Sequence, residues 1–250
     1  MTNFKTLSGA RPWVWAHRGA SGHAPENTME AFKLALEMNA DGVEIDVYFS
    51  RDGEIVICHD EKIDRTSNGQ GEITGYTLAE LKQFDFGCKF YDGERRGIRI
   101  PTLDELYDLV KKTGLKVNVE VKSASPEMPA ALIAKAREYG VEDLIYYSCF
   151  NHLQLARLLE LDPTTRVAPL YSSTLLHMDE YAVRMGAWAI HPSQKAITTF
   201  PTLPADCHDK GVLINPWTVN SEDDLRRCIE AGADGLITNY PDRAWAILNE

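Results

Sequence analysis

The chain has 250 residues, of which 44% are hydrophobic and 25% are charged. These proportions are ordinary for a globular protein that buries a sizeable core. The formal net charge of −11 and the isoelectric point near 5.1 exclude a general electrostatic attraction to nucleic acid or anionic lipid. An anionic substrate would therefore need local cations in its binding site.

Membrane and disulfide signals are missing from the sequence. No segment approaches the roughly 18 to 20 apolar residues of a membrane span. The first residues, MTNFKTLSGARP, lack the apolar centre of a signal peptide. The five cysteines are scattered and have no C-x-x-C spacing, so neither a disulfide framework nor a thiolate zinc site is indicated. We expect a cytoplasmic protein without stable membrane insertion.

Short apolar runs alternate with helical stretches along nearly the whole chain. This alternation is typical of a parallel sheet whose strands are joined by crossover helices. Nine runs are candidate strands: 13–17, 42–47, 54–58, 116–121, 144–148, 166–170, 187–191, 212–215 and 235–238.

The second and third runs are too close together to be parallel neighbours. Only Ser50-Arg51-Asp52-Gly53 separates them, whereas a parallel crossover needs about a dozen residues. We therefore predict a hairpin with Asp52-Gly53 in its turn. The remaining runs fit one α/β domain over residues 1–250, a TIM-like (β/α)8 barrel, which is a fold of about 250 residues.

Residues 60–101 depart from the alternation. They are Gly-rich and polar, with one short helical stretch near 78–84. This composition predicts a small insertion over one face of the barrel rather than a separate domain. Helix starts are marked by Thr77, Thr102 and Ser221, each of which precedes a carboxylate by three residues, as in a capping box.

Carboxylates share one side of two predicted strands. Glu44 and Asp46 lie two residues apart and point the same way, where they would repel each other unless a cation lay between them. Such a pair alone is as often a solvated strand end. Glu120, with Lys122 on the same side of another strand end, adds a third carboxylate and favours a metal site. Oxygen ligands suit Mg²⁺ or Ca²⁺ better than zinc.

Two apolar runs end in histidine, at His17 and at His59. A rigid strand fixes the side chain that follows it, which is how α/β enzymes present catalytic groups. A single histidine is more often structural, but two of them beside three carboxylates favour proton transfer near neutral pH. Glu26 and Asn27 are candidate polar supports of this site, although Asn27-x-x-Glu30 equally fits a helix cap.

Together these motifs carry a family resemblance. They are His17-Arg18-Gly19, Glu26-Asn27-Thr28, Glu44-x-Asp46, His59-Asp60, Glu120-x-Lys122, Ser148-x-Phe150, Trp217-Thr218-Val219-Asn220 and Thr238-Asn239-Tyr240-Pro241. In this order they resemble the glycerophosphodiester phosphodiesterase family over about residues 13 to 243. Each motif alone is common, whereas the ordered set is specific.

The resemblance implies a metal-dependent barrel that hydrolyses glycerophosphodiesters to sn-glycerol 3-phosphate and an alcohol. Residues matching His17 and His59 would act as general acid and base. Residues matching Glu44, Asp46 and Glu120 would hold one divalent cation, either Mg²⁺ or Ca²⁺.

The resemblance also implies contacts to the substrate. Arg18 and Lys122 would contact the phosphate, and Phe150 and Trp217 would border the alcohol side. One position departs from the family, because Asn239 stands where Asp is more frequent. We expect this change to alter local hydrogen bonds rather than to abolish activity.

Two other functions compete with this interpretation. A lipid phosphodiesterase of the lysophospholipase D type would need an apolar mouth, which the aromatic residues of the insertion could supply. A barrel that binds its ligand without turnover would lack one of the catalytic or metal-binding groups, and none is missing. The sequence leaves open the preferred alcohol, the choice between Mg²⁺ and Ca²⁺, the order in which the histidines act, and whether the chain is a monomer or a homodimer.

Overall fold

In the computed structural model, which describes residues 11–250, parallel strands form a nearly closed barrel. The expectation that the first ten residues hold no signal peptide lies outside these residues. The strands are β1 (Trp13–His17), β2 (Gly42–Phe49), β3 (Ile55–Ile57), β4 (Lys116–Val121), β5 (Ile145–Cys149), β6 (Val167–Tyr171), β7 (Ala189–Pro192), β8 (Leu213–Ile214) and β9 (Gly235–Thr238).

The barrel strands follow the order β8-β7-β6-β5-β4-β2-β1-β9, and β3 pairs with β2 outside this path. Backbone hydrogen bonds near β8 and β9 connect the two ends of this strand order and so bring the sheet close to a closed barrel. The amide of Asp234 donates to the Ile214 carbonyl at 2.9 Å, and the amide of Ile237 donates to the Pro216 carbonyl at 3.1 Å. The predicted (β/α)8 barrel is confirmed.

Helices surround the strands. They are α1 (Met29–Glu37), α2 (Leu78–Leu81), α3 (Leu103–Thr113), α4 (Met128–Tyr139), α5 (His152–Leu161), α6 (Met178–Met185), α7 (Gln194–Thr199), α8 (Leu203–His208), α9 (Glu222–Glu230) and α10 (Pro241–Leu248). Capping boxes at Thr77 and Thr102 begin α2 and α3. At α9 the Ser221 hydroxyl accepts from the Asp224 amide at 3.1 Å, so all three predicted helix starts are confirmed.

Apolar side chains fill the barrel and the layer between strands and helices. Inside the barrel, Trp15 and Tyr146 are fully buried and pack edge to face with ring centroids 5.0 Å apart. Leu213 and Ile237 belong to the same interior cluster. The barrel is thus a packed core, and space for a ligand is left at its ends.

The hairpin and the insertion take the places that the sequence predicts. Strand β3 runs antiparallel to β2, with Tyr48 opposite Val56, and Gly53 adopts a positive φ of 85° in the turn. The insertion packs its own apolar cluster, which includes Ile63 and Phe86, against Val56 and Tyr48.

Strand boundaries differ from the prediction where helix ends intrude. The amide of Ala187 donates to the Ala182 carbonyl at 2.9 Å and so completes the end of α6, which delays β7 to Ala189. Leu144 closes a 3₁₀ turn through its bond to the Val141 carbonyl, so β5 begins one residue later. The periodicity of apolar residues in the sequence does not reveal such hydrogen bonds.

Two further expectations concern cysteines and membranes. All five cysteines are buried and free of disulfides in the structure of residues 11–250. Within the same residues, no helix has the length and apolar character needed to cross a bilayer.

Candidate active site

Strand register sets the acidic and imidazole groups side by side. His17, the last residue of β1, pairs with Glu44 of β2, and Asp46 of β2 pairs with Glu120 of β4. Because side chains two residues apart share one face of a strand, Glu44 and Asp46 point the same way. The predicted convergence of these residues at the carboxyl ends of neighbouring strands is therefore observed.

Glu44, Asp46 and Glu120 form a buried carboxylate trio. One oxygen from each lies within 4.8 Å of the other two. Glu44 Oε1 and Asp46 Oδ1 are buried and have no hydrogen-bond partner. Unpaired carboxylate oxygens are costly to bury, and hard cations are bound by such oxygens. The trio therefore fits a divalent cation such as Mg²⁺ or Ca²⁺.

Burial and mutual repulsion raise the pKa values of two carboxylates of the trio, Glu44 and Glu120. Burial, reinforced by Asp46, raises the pKa of Glu120 to about 7 despite the hydrogen bond from Lys122. Burial, reinforced by the charges of Asp46 and Glu120, raises the pKa of Glu44 well above its ordinary value. Because ligands must be deprotonated, a cation would compete with protons for these oxygens.

Two basic side chains flank the trio. Lys122 Nζ donates to Glu120 Oε1 at 2.9 Å and lies 3.8 Å from Asp46 Oδ1. Arg18 places its Nε 3.6 Å from Asp46 Oδ2, and its backbone amide donates to Glu44 Oε2 at 3.0 Å. Positive charge thus lies beside the trio, as an anionic substrate in an acidic protein requires.

The loop between β1 and α1, residues 18–28, contacts the trio and holds Asp46 in place. Asn27 donates from Nδ2 to Asp46 Oδ2 at 2.8 Å, and both Asn27 and Arg18 adopt positive φ values near 55°. The helix cap is instead Thr28, whose hydroxyl accepts from the Ala31 amide at 3.2 Å. Of the two roles open for Asn27, the structure therefore selects the support of Asp46.

His17 lies mostly buried, with each ring nitrogen facing a different environment. Its Nδ1 lies 2.7 Å from Asn239 Oδ1, and its Nε2 lies 3.9 Å from Glu44 Oε2. An amide oxygen only accepts, so Nδ1 carries the proton and Nε2 is left with a lone pair. Burial and the positive charge of Arg18 lower the pKa of His17 to about 4, so the ring is neutral at pH 7.

His59 has an ionic partner on the corresponding nitrogen. Its Nδ1 lies 2.5 Å from Asp60 Oδ1, and its Nε2 lies 3.3 Å from Lys122 Nζ. The Asp60 carboxylate accepts the Nδ1 proton and so orients the ring. The two histidines therefore differ in electrostatic environment, although both line the same cleft.

The cleft encloses about 350 Å³, its open mouth included. Phe150 and Trp217 form one wall, edge to face with ring centroids 5.4 Å apart. Lys122 Nζ lies 5.9 Å from the Phe150 ring centroid. Trp217 is held by its indole N–H, which donates to the His191 carbonyl at 2.8 Å.

Asn118 and His191 belong to the site although they were not singled out from the sequence, where Ser148 was named only as part of a family motif. Asn118, Ser148 and His191 line the floor of the cleft, and each has a buried polar atom without a hydrogen-bond partner. His191 is fully buried near the end of β7, so the strand-end rule that selected His17 could also have selected it. Asn239 contacts His17 across 222 positions, and no periodicity encodes such a contact.

Comparison with known proteins places the chain among relatives of similar length. The model of the glycerophosphoryl diester phosphodiesterase family matches residues 17–243. A glycerophosphodiester phosphodiesterase of Caldanaerobacter subterraneus is 42% identical over 92% of this chain and 94% of its own. One of Bacillus altitudinis is 36% identical over 95% of this chain and 98% of its own.

A solved structure agrees with the sequence relatives. The phosphodiesterase of Oleispira antarctica, in complex with the product sn-glycerol-3-phosphate, superposes with a TM-score of 0.88. It is 30% identical, and the match covers 96% of this chain and 98% of that one. The chain belongs to the glycerophosphoryl diester phosphodiesterase family.

Proposed function

We propose that the chain hydrolyses glycerophosphodiesters to sn-glycerol 3-phosphate and an alcohol. The observation that carries this proposal is that His17 and His59 line the same cleft as two members of the carboxylate trio, which are Glu44 and Glu120. Such a set supplies a proton acceptor, a proton donor and oxygen ligands for a cation. The product bound by the Oleispira antarctica relative supports the same substrate class.

Charge compensation would come from the groups around the trio. A phosphodiester carries one negative charge, and its transition state gathers more on the phosphoryl oxygens. Arg18 and Lys122, which flank the trio, would bind those oxygens. A divalent cation bound to the trio would act as a Lewis acid on the phosphoryl group.

The contrast between the histidine partners assigns their roles in this proposal. His17, neutral and with a free lone pair on Nε2, would take the proton of the attacking hydroxyl. His59, whose ring is oriented by the Asp60 carboxylate, would give a proton to the departing alkoxide as its phosphorus–oxygen bond breaks. Each transfer contributes about 10²- to 10⁴-fold in rate.

The attacking hydroxyl could belong to water or to the neighbouring position of the glycerol. Attack by glycerol would form a cyclic phosphate, which water then opens. Single-turnover quenching separates the routes, because a transient cyclic phosphate appears in the second route alone. Incorporation of solvent oxygen in one step, without that species, would identify direct attack.

The insertion does not form the apolar mouth that a lipid substrate would need. Phe86 is buried and Phe84 packs against the same cluster, while the Tyr91 hydroxyl donates to Glu30 Oε1 at 2.6 Å. Phe90, 43% exposed, is the exception among these aromatic residues. Water-soluble diesters are therefore the favoured substrates. We also propose that barrel and insertion form one domain, because Ile55 and Ile57 of β3 belong to an apolar cluster of the barrel while Val56 between them belongs to that of the insertion.

The proposal is tested by glycerol 3-phosphate release from glycerophosphocholine. Metal-stripped protein is assayed before and after addition of Mg²⁺ or Ca²⁺, beside Glu44→Ala and the control Glu138→Ala, whose carboxylate is 65% exposed on α4. Activity should return with metal in the parent and in the control, but not in Glu44→Ala. No release with any metal would overturn the proposal.

A further inference from the structure

Arg65 joins the insertion to the β1–α1 loop, which carries Arg18 of the cleft. It lies in the insertion, and its Nε donates to Asp60 Oδ2 at 2.6 Å. Its two terminal nitrogens donate in parallel to both oxygens of Glu26 in the β1–α1 loop, at 2.7 and 2.8 Å. This paired geometry fixes direction as well as distance, which a lysine cannot do.

Each carboxylate held by Arg65 touches a group of the proposed site. Asp60 accepts from His59 Nδ1 with its other oxygen, and Glu26 accepts from Arg18 Nη1 at 2.9 Å. The bonds therefore run without a break from His59 through Asp60, Arg65 and Glu26 to Arg18. Both ends of this bridge line the cleft.

We propose that Arg65 is a positioning residue that holds His59 and Arg18 in place across the cleft through Asp60 and Glu26. The inference rests on the proposed function and adds a role for the insertion. Both oxygens of Glu26 are engaged by Arg65, so Glu26 cannot turn fully to Arg18. The remaining donors of Arg18 stay available for phosphate.

The insertion and this loop are separated by a groove beside the bridge. The groove is lined by Ser21, Pro25, Thr66 and Phe90, so the two segments are not closely packed there. A second link, from Tyr91 to Glu30, reaches the start of α1 and not the loop itself. Arg65 is 48% exposed, and exposed ion pairs add little to the free energy of unfolding. Its loss should therefore change catalysis more than folding.

The chain offers a matched control in Arg51. This arginine is 52% exposed and holds the same insertion through the Gly75 carbonyl and Glu80 Oε2, with no bonded path to the cleft. Steady-state kinetics with glycerophosphocholine would compare the parent with Arg65→Ala, Arg65→Lys and Arg51→Ala. Thermal unfolding of each variant shows whether it is folded.

For Arg65→Ala we expect kcat/KM to fall about 10- to 100-fold, with a lower kcat and a higher KM, as for other residues that orient site groups. Arg51→Ala should stay within about twofold of the parent. Arg65→Lys should regain less than half of the loss, because one ammonium cannot span both carboxylates. Guanidinium ion at millimolar concentration should partly restore Arg65→Ala and leave Arg51→Ala unchanged.

Equal losses in Arg65→Ala and Arg51→Ala would overturn the inference, because they would reflect the fold of the insertion. Parent-like kinetics of Arg65→Ala would overturn it as well. An inactive parent protein would instead refute the proposed function, so the two failures are distinguishable.

Discussion

The Nδ1 of His17 and the Oδ1 of Asn239 lie 2.7 Å apart, at the ends of the neighbouring strands β1 and β9. Asn239 is itself fixed, because its backbone amide donates to Asn220 Oδ1 at 2.9 Å. Asn239, which departs from the Asp that the sequence resemblance implies at this position, therefore orients a proposed catalytic histidine. A neutral amide selects the same tautomer as a carboxylate but places no negative charge beside the ring.

Substitutions of Asn239 should separate orientation from charge. Asn239→Leu removes the acceptor, and we expect kcat to fall about 10- to 100-fold with little change in KM, because the Nε2 lone pair is no longer secured. Asn239→Asp keeps the acceptor and adds a negative charge, which raises the pKa of His17. A base works only when it is deprotonated. On acidification, Asn239→Asp should therefore lose activity at a higher pH than the parent does.

The measurement is the pH profile of kcat/KM, which reports ionisation in the free enzyme. Its acidic limb should move up by about one pH unit in Asn239→Asp. An unchanged limb, together with parent-like kcat in Asn239→Leu, would remove Asn239 from the mechanism.

Hydrolysis of a substrate whose leaving group needs no protonation should depend little on His59. Nitrophenolate departs without protonation, so His59→Ala should lose about 10²- to 10⁴-fold with glycerophosphocholine but less than about tenfold with glycerophospho-p-nitrophenol. His17→Ala should fall with both substrates, because the attacking hydroxyl still needs a base. Equal losses of His59→Ala on both esters would mean that His59 is not the proton donor.

The stability of the metal-free protein should depend on pH through Glu120. Its pKa of about 7 in the folded protein lies above the ordinary value of 4.5. Folding therefore favours the protonated form, and the metal-free protein should lose stability as the pH rises from about 4.5 through 7. A bound cation should reverse this loss, since it stabilises the charged carboxylates.

Thermal unfolding of metal-stripped protein at pH 6 and pH 8, with and without Mg²⁺ or Ca²⁺, tests this dependence. A cation at about a hundred times its Kd stabilises by about 2.7 kcal/mol, or roughly 5 to 10 °C in Tm for a chain of this size. The increase should be larger at pH 8 and smaller in Glu120→Gln. A Tm that does not change on addition of metal at either pH would contradict a cation site at the trio.

How far the sequence predicts this site depends on where each group lies. His17, Glu44 and Glu120 follow from strand ends, since parallel strands bring their carboxyl ends to one edge and alternation fixes the side. The partners Asn239 and Arg65 do not follow. They reach the site through loop conformations and ion pairs that neither apolar periodicity nor turn signals encode.

The charge of Glu26 should stabilise the fold above the acidic range. Burial alone would raise its pKa, but the hydrogen bonds from Arg65 and the charge of Arg18 prevail and lower it to about 2. Because the folded value lies below the ordinary 4.5, this contribution is fully present above pH 4.5 and lost as the pH falls towards 2.

Urea unfolding of Glu26→Gln should show this dependence directly. The nominal shift corresponds to about 3 kcal/mol, but screening at the half-exposed Arg65 leaves mainly the contribution of the more buried Arg18, so the expected loss is about 1 kcal/mol at pH 7. The difference in free energy of unfolding between Glu26→Gln and the parent should decrease steadily between pH 4.5 and pH 3. The control Glu138→Gln should stay within about 0.5 kcal/mol of the parent at every pH. A loss that does not change with pH would point instead to lost packing around Glu26, because a neutral contact does not titrate.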